Sequence, residues 1–421
     1  MPPQSNRRAV GYADLRLAVV SPFVDRKHGT ERALAELLER LARDYNCEIH
    51  LYAQSVDDVA ISDPRSARIV ESPASTAGAI FWHKVPSIPG PHLLQFLGWI
   101  FFNGFLRRWH TTSGGASYDL VFSPGINSLH PDVVIVHALF HRLRELSREE
   151  NNDSAAKASF FRRLHRRVYY GLLAALERRI YTDPRVLLAA VSKRTAGLLT
   201  SYFRRENVAV VRNGVETAYF SVAARVARRT AARQKRDFRD EDFVLLLIGN
   251  DWSNKGLPTI LEALAVSPLS VRLLVVGNDA QERFRARAVQ LGVQDRCRWE
   301  LPSPDVLDFY AAADVYVSPS REDSFGLPVA EAMACGLPVI TSVCAGVADY
   351  IQDGVDGFVL RDPRDAQTLS QLIERLQTDS DLRRKVGEAA AKTATVWDWN
   401  RSAAAVWELL KNAKAKKHPG G

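Results

Sequence analysis

Thiol chemistry has little to draw on in this chain, because only four cysteines occur in 421 residues. Cys47, Cys297, Cys335 and Cys344 are scattered and form no Cys-x-x-Cys pair. That speaks against a structural zinc site or a disulfide framework and fits a reducing cytoplasm. The opening residues, MPPQSNRRAVGYAD, contain no apolar h-region, so no export signal is expected. The apolar stretch Leu93–Leu106 is too short to span a bilayer. No biased low-complexity tract, zinc finger, aromatic ribonucleoprotein motif or helix-turn-helix pattern accompanies the net charge of +8. A basic balance suits nucleic acid, an anionic membrane surface or phosphate-bearing substrates, and the missing modules set nucleic acid aside. Neither half carries Gly-x-Gly-x-x-Gly after its first strand, which removes the main support for a dinucleotide oxidoreductase.

What is present is a soluble α/β pattern with too much chain for one ordinary core. Leu15–Ser21, a polar loop and a helix pattern over Glu31–Asp44 open a doubly wound domain. Ile49–Ala53, Leu120–Ser123, Val133–His137, Leu187–Val191 and Asn207–Val211 continue its strands. A second domain follows Arg212–Gly214. There Ala223–Asp240 reads as a short surface helix with a turn, and Phe243–Gly249 as a strand buried on both faces. Val271–Gly277, Val315–Ser318, Val339–Thr341 and Gly357–Leu360 repeat the rhythm. The expected architecture is two Rossmann-like domains, 1–212 and 213–396. A C-terminal helix near 397–415 returns to the first.

The chemistry concentrates in SPSREDSFGLPVAEAMACGLPVI, Ser318 to Ile340. A strand ends, a polar loop carries Asp323, Ser324, Phe325 and Gly326, and Leu327–Cys335 reads as a helix with Pro328 in its first turn. Such a helix start offers backbone N–H groups and a positive dipole end to a phosphate, and Gly326 permits close approach. Asp323 and Glu331, eight positions apart, can accept hydrogen bonds from two sets of hydroxyls. An N-capping acid with a solvated helix glutamate is the plainer alternative, and the Ser-Phe-Gly-Leu-Pro core argues against it.

This segment resembles the paired-acid motif of the family 4 glycosyltransferases, whose fold places two Rossmann-like domains face to face across a cleft (GT-B). The C-terminal half is also similar to the lipopolysaccharide-core glucosyltransferases, through IGNDWSNKGLPTILEALA and LLVVGNDAQERFRARAVQLGV. The resemblance implies retaining transfer of a hexose from a nucleotide sugar, UDP-glucose first and GDP-mannose as competitor. The acceptor would be a lipid-linked, lipopolysaccharide or other glycan. It makes Asp323 a catalytic-site residue on the donor sugar, where most members carry Glu. The N–H groups of Ser324, Phe325, Gly326 and Leu327 would bind sugar and diphosphate, and Glu331 the ribose. Lys255 falls where a diphosphate-binding lysine is expected. The arginine that many relatives carry just before it is absent, leaving Arg26, Lys27 or Arg321 to compensate. Asn278 and Leu301 mark loops flanking the nucleotide base. No Asp-x-Asp motif stands in the expected context, so neither a metal nor a further cofactor is required.

In the first half, Gly29 matches the family's glycine-bearing loop. It would bring its backbone against the donor, or it is an ordinary loop glycine before a helix. His137 ends a strand and, by the same resemblance, is the catalytic candidate on the transferred sugar or the acceptor, with His141 in reserve; a lone histidine is as readily structural. Leu93–Leu106 with Arg107, Arg108 and Trp109, and Phe160–Tyr181 with its arginine pairs, suggest a peripheral enzyme on the anionic inner face of the plasma membrane. For the second segment a domain helix with a solvated basic face is equally open. An epimerase or hydrolase of the same fold, or a non-enzymatic binding module, are the rival readings.

Overall fold

Short apolar runs ending in Ser, Gly or Pro become parallel strands here, because each is covered on both faces and its chain must leave the sheet at once. The computed structural model describes residues 13–62, 78–114, 117–153 and 160–418. Contacts divide the chain into two units. Unit 1 comprises Met1–Val191, Thr195–Val211 and Asn400–Gly421, and unit 2 comprises Ser192–Arg194 and Arg212–Trp399.

Unit 1 opens with β1 (Leu15–Val20), β2 (Phe23–Val24), α1 (Gly29–Tyr45), β3 (Cys47–Ala53), β4 (Ser55–Val56) and β5 (Ile80–Lys84). It continues through α2 (His92–Thr112), β6 (Leu120–Ser123), β7 (Val133–Val136), α3 (Phe140–Asp153) and α4 (Phe160–Tyr181). β8 (Leu187–Ala190), α5 (Lys193–Phe203) and β9 (Ala209–Val210) follow. Seven strands form a sheet in the order β5-β3-β1-β6-β7-β8-β9, all pairs parallel, while β2 and β4 pair apart. Strand β5 is, with β2, β4 and β12, an element for which the sequence reading gives no range. It lies at the sheet edge with its middle residues only half-buried, so no continuous apolar run announces it.

Unit 2 runs α6 (Val222–Gln234), β10 (Phe243–Ile248), α7 (Leu257–Val266), β11 (Val271–Val276), α8 (Gln281–Gln290), β12 (Cys297–Glu300) and α9 (Leu307–Ala312). Then come β13 (Val315–Ser318), α10 (Leu327–Ala334), β14 (Val339–Ser342), β15 (Phe358–Leu360), α11 (Ala366–Thr378) and α12 (Ser380–Ala394). Its parallel sheet has the order β12-β11-β10-β13-β14-β15. Strand order therefore runs outward in both directions from the β10/β13 pair, the topological switch point at which open α/β sheets hold ligands. Leu245 and Leu247 of β10, Ile260 and Leu261 of α7, and Val315 and Val317 of β13 are fully buried in one core. Each such side chain stabilises the fold by roughly 1.5–3 kcal/mol relative to exposure.

Two segments depart from simple expectation. Helix α6 is latched inward by its arginines. Arg225 donates to the Cys335 carbonyl at 2.7 Å, Arg229 pairs with Asp314 at 2.5 Å, and the buried Arg233 donates to the Asp242 carbonyl at 2.8 Å. In α4, Leu173, Ile180 and Tyr181 join the core under β7 and β8, leaving Arg178 and Arg179 outside. That is the packed domain helix; the side chains of 160–166 lie outside the described residues. The last helix, α13 (Trp399–Lys417), belongs to unit 1 from Asn400 onward. Its Trp407 ring lies 5.4 Å from that of Tyr45, and Lys417 pairs with Asp132 at 2.8 Å. Where the chain enters and leaves unit 2, Val215 N donates to Trp397 O at 2.7 Å. A Cβ on Gly214 would meet Trp399 N at 2.4 Å, so only glycine lets the two crossings run side by side.

Candidate functional site

Strands β10 and β13 are neighbours, and the loops leaving their C-terminal ends carry the two charged side chains of interest. After β10, Gly249 turns the chain with φ +140° and Lys255 precedes α7. After β13, Asp323 precedes α10. Both helices begin the same way: a glycine in the left-handed region (Gly256, φ +81°; Gly326, φ +93°), then Leu, then Pro. Proline forfeits no helix bond at that position. Gly256 is also forced by space, since a Cβ there would lie 2.3 Å from the Pro319 carbonyl oxygen.

Lys255 Nζ donates to Asp323 Oδ2, and both side chains are largely buried. Asp323 is pinned from the other side too: its N–H donates to Cys344 O at 3.0 Å, and Gly346 N donates to Asp323 O at 2.8 Å. Val347 N then donates to Phe325 O at 2.6 Å. A Cβ on Gly346 would come within 2.1 Å of Ser324 O, so this tie also depends on glycine. Phe325 is buried edge-on against Trp397, with ring centroids 6.3 Å apart, and serves as a loop anchor. Gly326 and Leu327 begin α10 with N–H groups that have no acceptor within the helix, while Pro328 has no N–H and Val329 N donates to Gly326 O at 3.0 Å.

Glu331 is buried one helical turn further on, and the Tyr310 hydroxyl donates to its Oε2 at 2.6 Å. Burial, reinforced by the Glu331 carboxylate, holds the Tyr310 phenol protonated far above the ordinary range, so it remains a donor. Tyr310, from α9, is a partner of the candidate Glu331 that sequence reasoning misses; nothing in Leu-Asp-Phe-Tyr-Ala-Ala distinguishes it from a core aromatic. Unit 2 thus assembles Lys255, Asp323, the α10 start and Glu331 around its switch point. Of the two base-loop candidates, Asn278 follows β11 and donates its N–H to Asn250 Oδ1 at 2.8 Å, and Leu301 follows β12, well exposed.

The unit 1 candidates stand separately. Gly29 is the exposed first residue of α1, preceded by His28, whose ring Nδ1 lies 2.9 Å from Asp25. Arg26 pairs with Glu36 and Glu39, and Lys27 with Asp57 at 2.7 Å. Two of the three cations offered in place of the missing arginine, Arg26 and Lys27, thus have acidic partners within their own unit, Arg26 on α1 and Lys27 just after β4. Buried His137 directly follows β7, and desolvation pushes its pKa down to about 4, so its ring is neutral at neutral pH. His141 has a structural place. Its ring sits 2.7 Å from Glu177, and the N–H groups of Phe140 and His141 donate to the same buried carboxylate, capping α3. Among the described residues no group of three or more His, Cys, Asp or Glu could hold a metal ion.

The model of glycosyltransferase family 4 matches residues 27–219, and that of glycosyl transferases group 1 matches residues 228–393. The chain belongs to the family 4 glycosyltransferases. It is 34% identical over 174 residues to the lipopolysaccharide glucosyltransferase WaaG of Escherichia coli, covering 40% of this chain and 46% of that protein. To a D-inositol 3-phosphate glycosyltransferase of Xylanimonas cellulosilytica it is 31% identical over 221 residues, 50% of this chain and 53% of that one. The chain spans about half the length of these curated relatives. Among solved structures, WaaG superposes with a TM-score of 0.73 at 21% identity, covering 96% of this chain and 100% of the other. HepE of Anabaena, in complex with UDP and glucose, gives 0.68 at 17% identity, covering 94% and 100%. These likenesses establish the GT-B fold for a family 4 chain with two Rossmann-like units.

Proposed function

We propose that this family 4 chain is a retaining glycosyltransferase moving a hexose, glucose from UDP-glucose in the first instance, to a glycan or glycolipid acceptor. The observation that carries the reading is the meeting of Lys255 and Asp323 on adjacent β-α loops beside the start of α10. A diphosphate leaving group needs positive charge that is already in place as the glycosidic bond breaks. Lys255 and the dipole of α10 supply it, and the N–H groups around Gly326 and Leu327 orient the phosphates. Asp323 accepts from donor-sugar hydroxyls, and Glu331, oriented by Tyr310, from the ribose. His137, neutral at physiological pH, has the protonation state for donating or accepting one hydrogen bond at the transferred sugar. The glucosyltransferase relative and the neighbour with bound UDP and glucose support UDP-glucose ahead of GDP-mannose.

A membrane-bound acceptor is favoured by α2. Leu94, Leu97, Phe101, Phe105 and Trp109 are all exposed, and their spacing of three or four puts them on one helix face together with exposed Arg108. An aromatic and aliphatic stripe with a cation suits the interface of an anionic bilayer. No helix among the described residues is long and apolar enough to cross a membrane. A small phosphorylated acceptor is the second reading, favoured by the inositol 3-phosphate glycosyltransferases among the relatives.

The test is release of UDP from UDP-glucose, or of GDP from GDP-mannose, with a membrane-lipid extract and with inositol 3-phosphate as alternative acceptors. Turnover like that of the parent protein in an Asp323→Ala, Glu331→Ala double variant would overturn the site.

A further inference from the structure

Asn254, the residue before Lys255, ties the two donor-site loops together more directly than any residue discussed so far. Its Nδ2 donates to the Glu322 carbonyl at 2.8 Å, and its own carbonyl accepts from Arg321 N at 2.7 Å. It therefore holds both backbone positions that lead into Asp323, one through its side chain and one through its main chain. Its N–H points the other way, to Asp251 Oδ1 at 3.3 Å, within the Lys255 loop. Among the described residues, its Oδ1 is buried without a hydrogen-bond partner, a desolvation cost that a side chain chosen for packing alone would avoid. One residue further on, Lys255 sits on the Asp323 carboxylate. In this arrangement the cation meant for the diphosphate is neutralised by the anion meant for the sugar.

We propose that Asn254 is a positioning residue which holds Lys255 and Asp323 in register, so that a nucleotide diphosphate must take the lysine before the carboxylate can take sugar hydroxyls. The inference rests on the donor-site reading above. Diphosphate and carboxylate compete for one ammonium. Arrival of the diphosphate on Lys255 releases Asp323 within the same clamped loop pair, already placed for the sugar. Coupling of this kind makes the sugar's contribution to affinity depend on a residue that touches neither phosphate nor sugar.

The experiment is calorimetric binding of UDP and of UDP-glucose, with steady-state kinetics, on the full chain and on Asn254→Ala, Asn254→Asp and Asp323→Asn. Asn254→Asp keeps the side chain's size and loses the donor to Glu322. Asp323→Asn is expected to bind UDP about fivefold more tightly, because the lysine has lost its competitor, and to lose transfer. Both Asn254 variants are expected to keep UDP affinity within about twofold and lose about tenfold in the ratio of UDP-glucose to UDP affinity, with kcat falling more than KM rises. A lower Tm with that ratio and kcat unchanged in the Asn254 variants overturns the inference alone. UDP affinity unchanged or weakened in Asp323→Asn overturns it too, and needs no folded Asn254 variant. No binding of UDP or GDP by the parent chain overturns the donor-site reading and this inference with it.

Discussion

Tyr310 and Glu331 show how single residues make the proposed donor site expensive to alter. The carboxylate is buried in α10 and takes the phenol's proton-bearing oxygen at 2.6 Å. Tyr310→Phe deletes that donor and leaves the rest of the ring, so its effect isolates the hydrogen bond. Urea unfolding of Tyr310→Phe is expected to register a loss of about 1–3 kcal/mol, and UDP binding to weaken, because a charged acceptor that loses a buried donor retains its desolvation cost. Gly346→Ala should behave differently. Its added methyl would drive Ser324 away and unpick the tie to Asp323. UDP-glucose affinity is expected to fall by more than tenfold while far-UV circular dichroism stays close to the parent's, since Gly346 starts only the five-residue 3-10 helix Gly346–Tyr350. Such an added methyl carries a meaning that no single sequence could reveal: Gly346 reads as one more loop glycine until Ser324, 22 positions earlier, is placed beside it.

At the scale of elements, the tripeptide Gly-Leu-Pro is instructive because it occurs at 256–258, 326–328 and 336–338. Twice it starts a helix, with glycine left-handed at the cap and proline in the first turn. The third time the left-handed glycine, Gly336 at φ +71°, ends α10 and proline leads into β14. Local sequence announces a boundary here and leaves its direction to the neighbouring strands. The same limit explains what was legible beforehand. Strands of both units, the α10 start and the positions of Lys255 and Asp323 could be read from apolar runs and motif spacing. Strand β5, the inward latching of α6 and the role of Tyr310 could not, because each depends on partners far along the chain. Helix α2 was legible as apolar, but not which of its side chains face outward. Phe101→Asp, Phe105→Asp should abolish sedimentation with vesicles containing anionic lipid and leave UDP binding unchanged, since both rings are exposed. In α4, Glu177→Gln weakens the acceptor that caps two N–H groups of α3 and holds His141. A drop of about 1–2 kcal/mol in stability, measured by denaturant melt, is expected from a weakened cap.

For the whole molecule, acid is the informative perturbant. His137 is buried with its folded pKa pushed down to about 4, below the ordinary value of 6.5, and His83, beside His50 and His110, is pushed down to about 3. An unfolded chain therefore binds these protons more readily than the folded one. The sign follows: stability is full above pH 6.5 and falls as pH drops from there toward 4 and below, by up to about 3 kcal/mol for His137 alone. Melting temperatures recorded from pH 8 to pH 4 are expected to decline through that window, and His137→Gln to flatten the decline. Both histidines lie in unit 1, so its signals should be lost before those of unit 2.

The paired crossings at Val215 and Trp397 have a further meaning for how such a chain can be rearranged. Unit 1 is discontinuous, completed by α13 only after unit 2 has been traversed. Unit 2 enters and exits through backbone held within one hydrogen bond of itself. Apart from Ser192–Arg194, it is topologically a cassette, an insert whose two ends meet. An exchange of residues 212–399 for the corresponding stretch of another family member asks the host to bridge no gap, provided glycine is kept at 214. On the site proposed above, donor preference would then be replaced as one block, with unit 1 and its outward face on α2 left as they are.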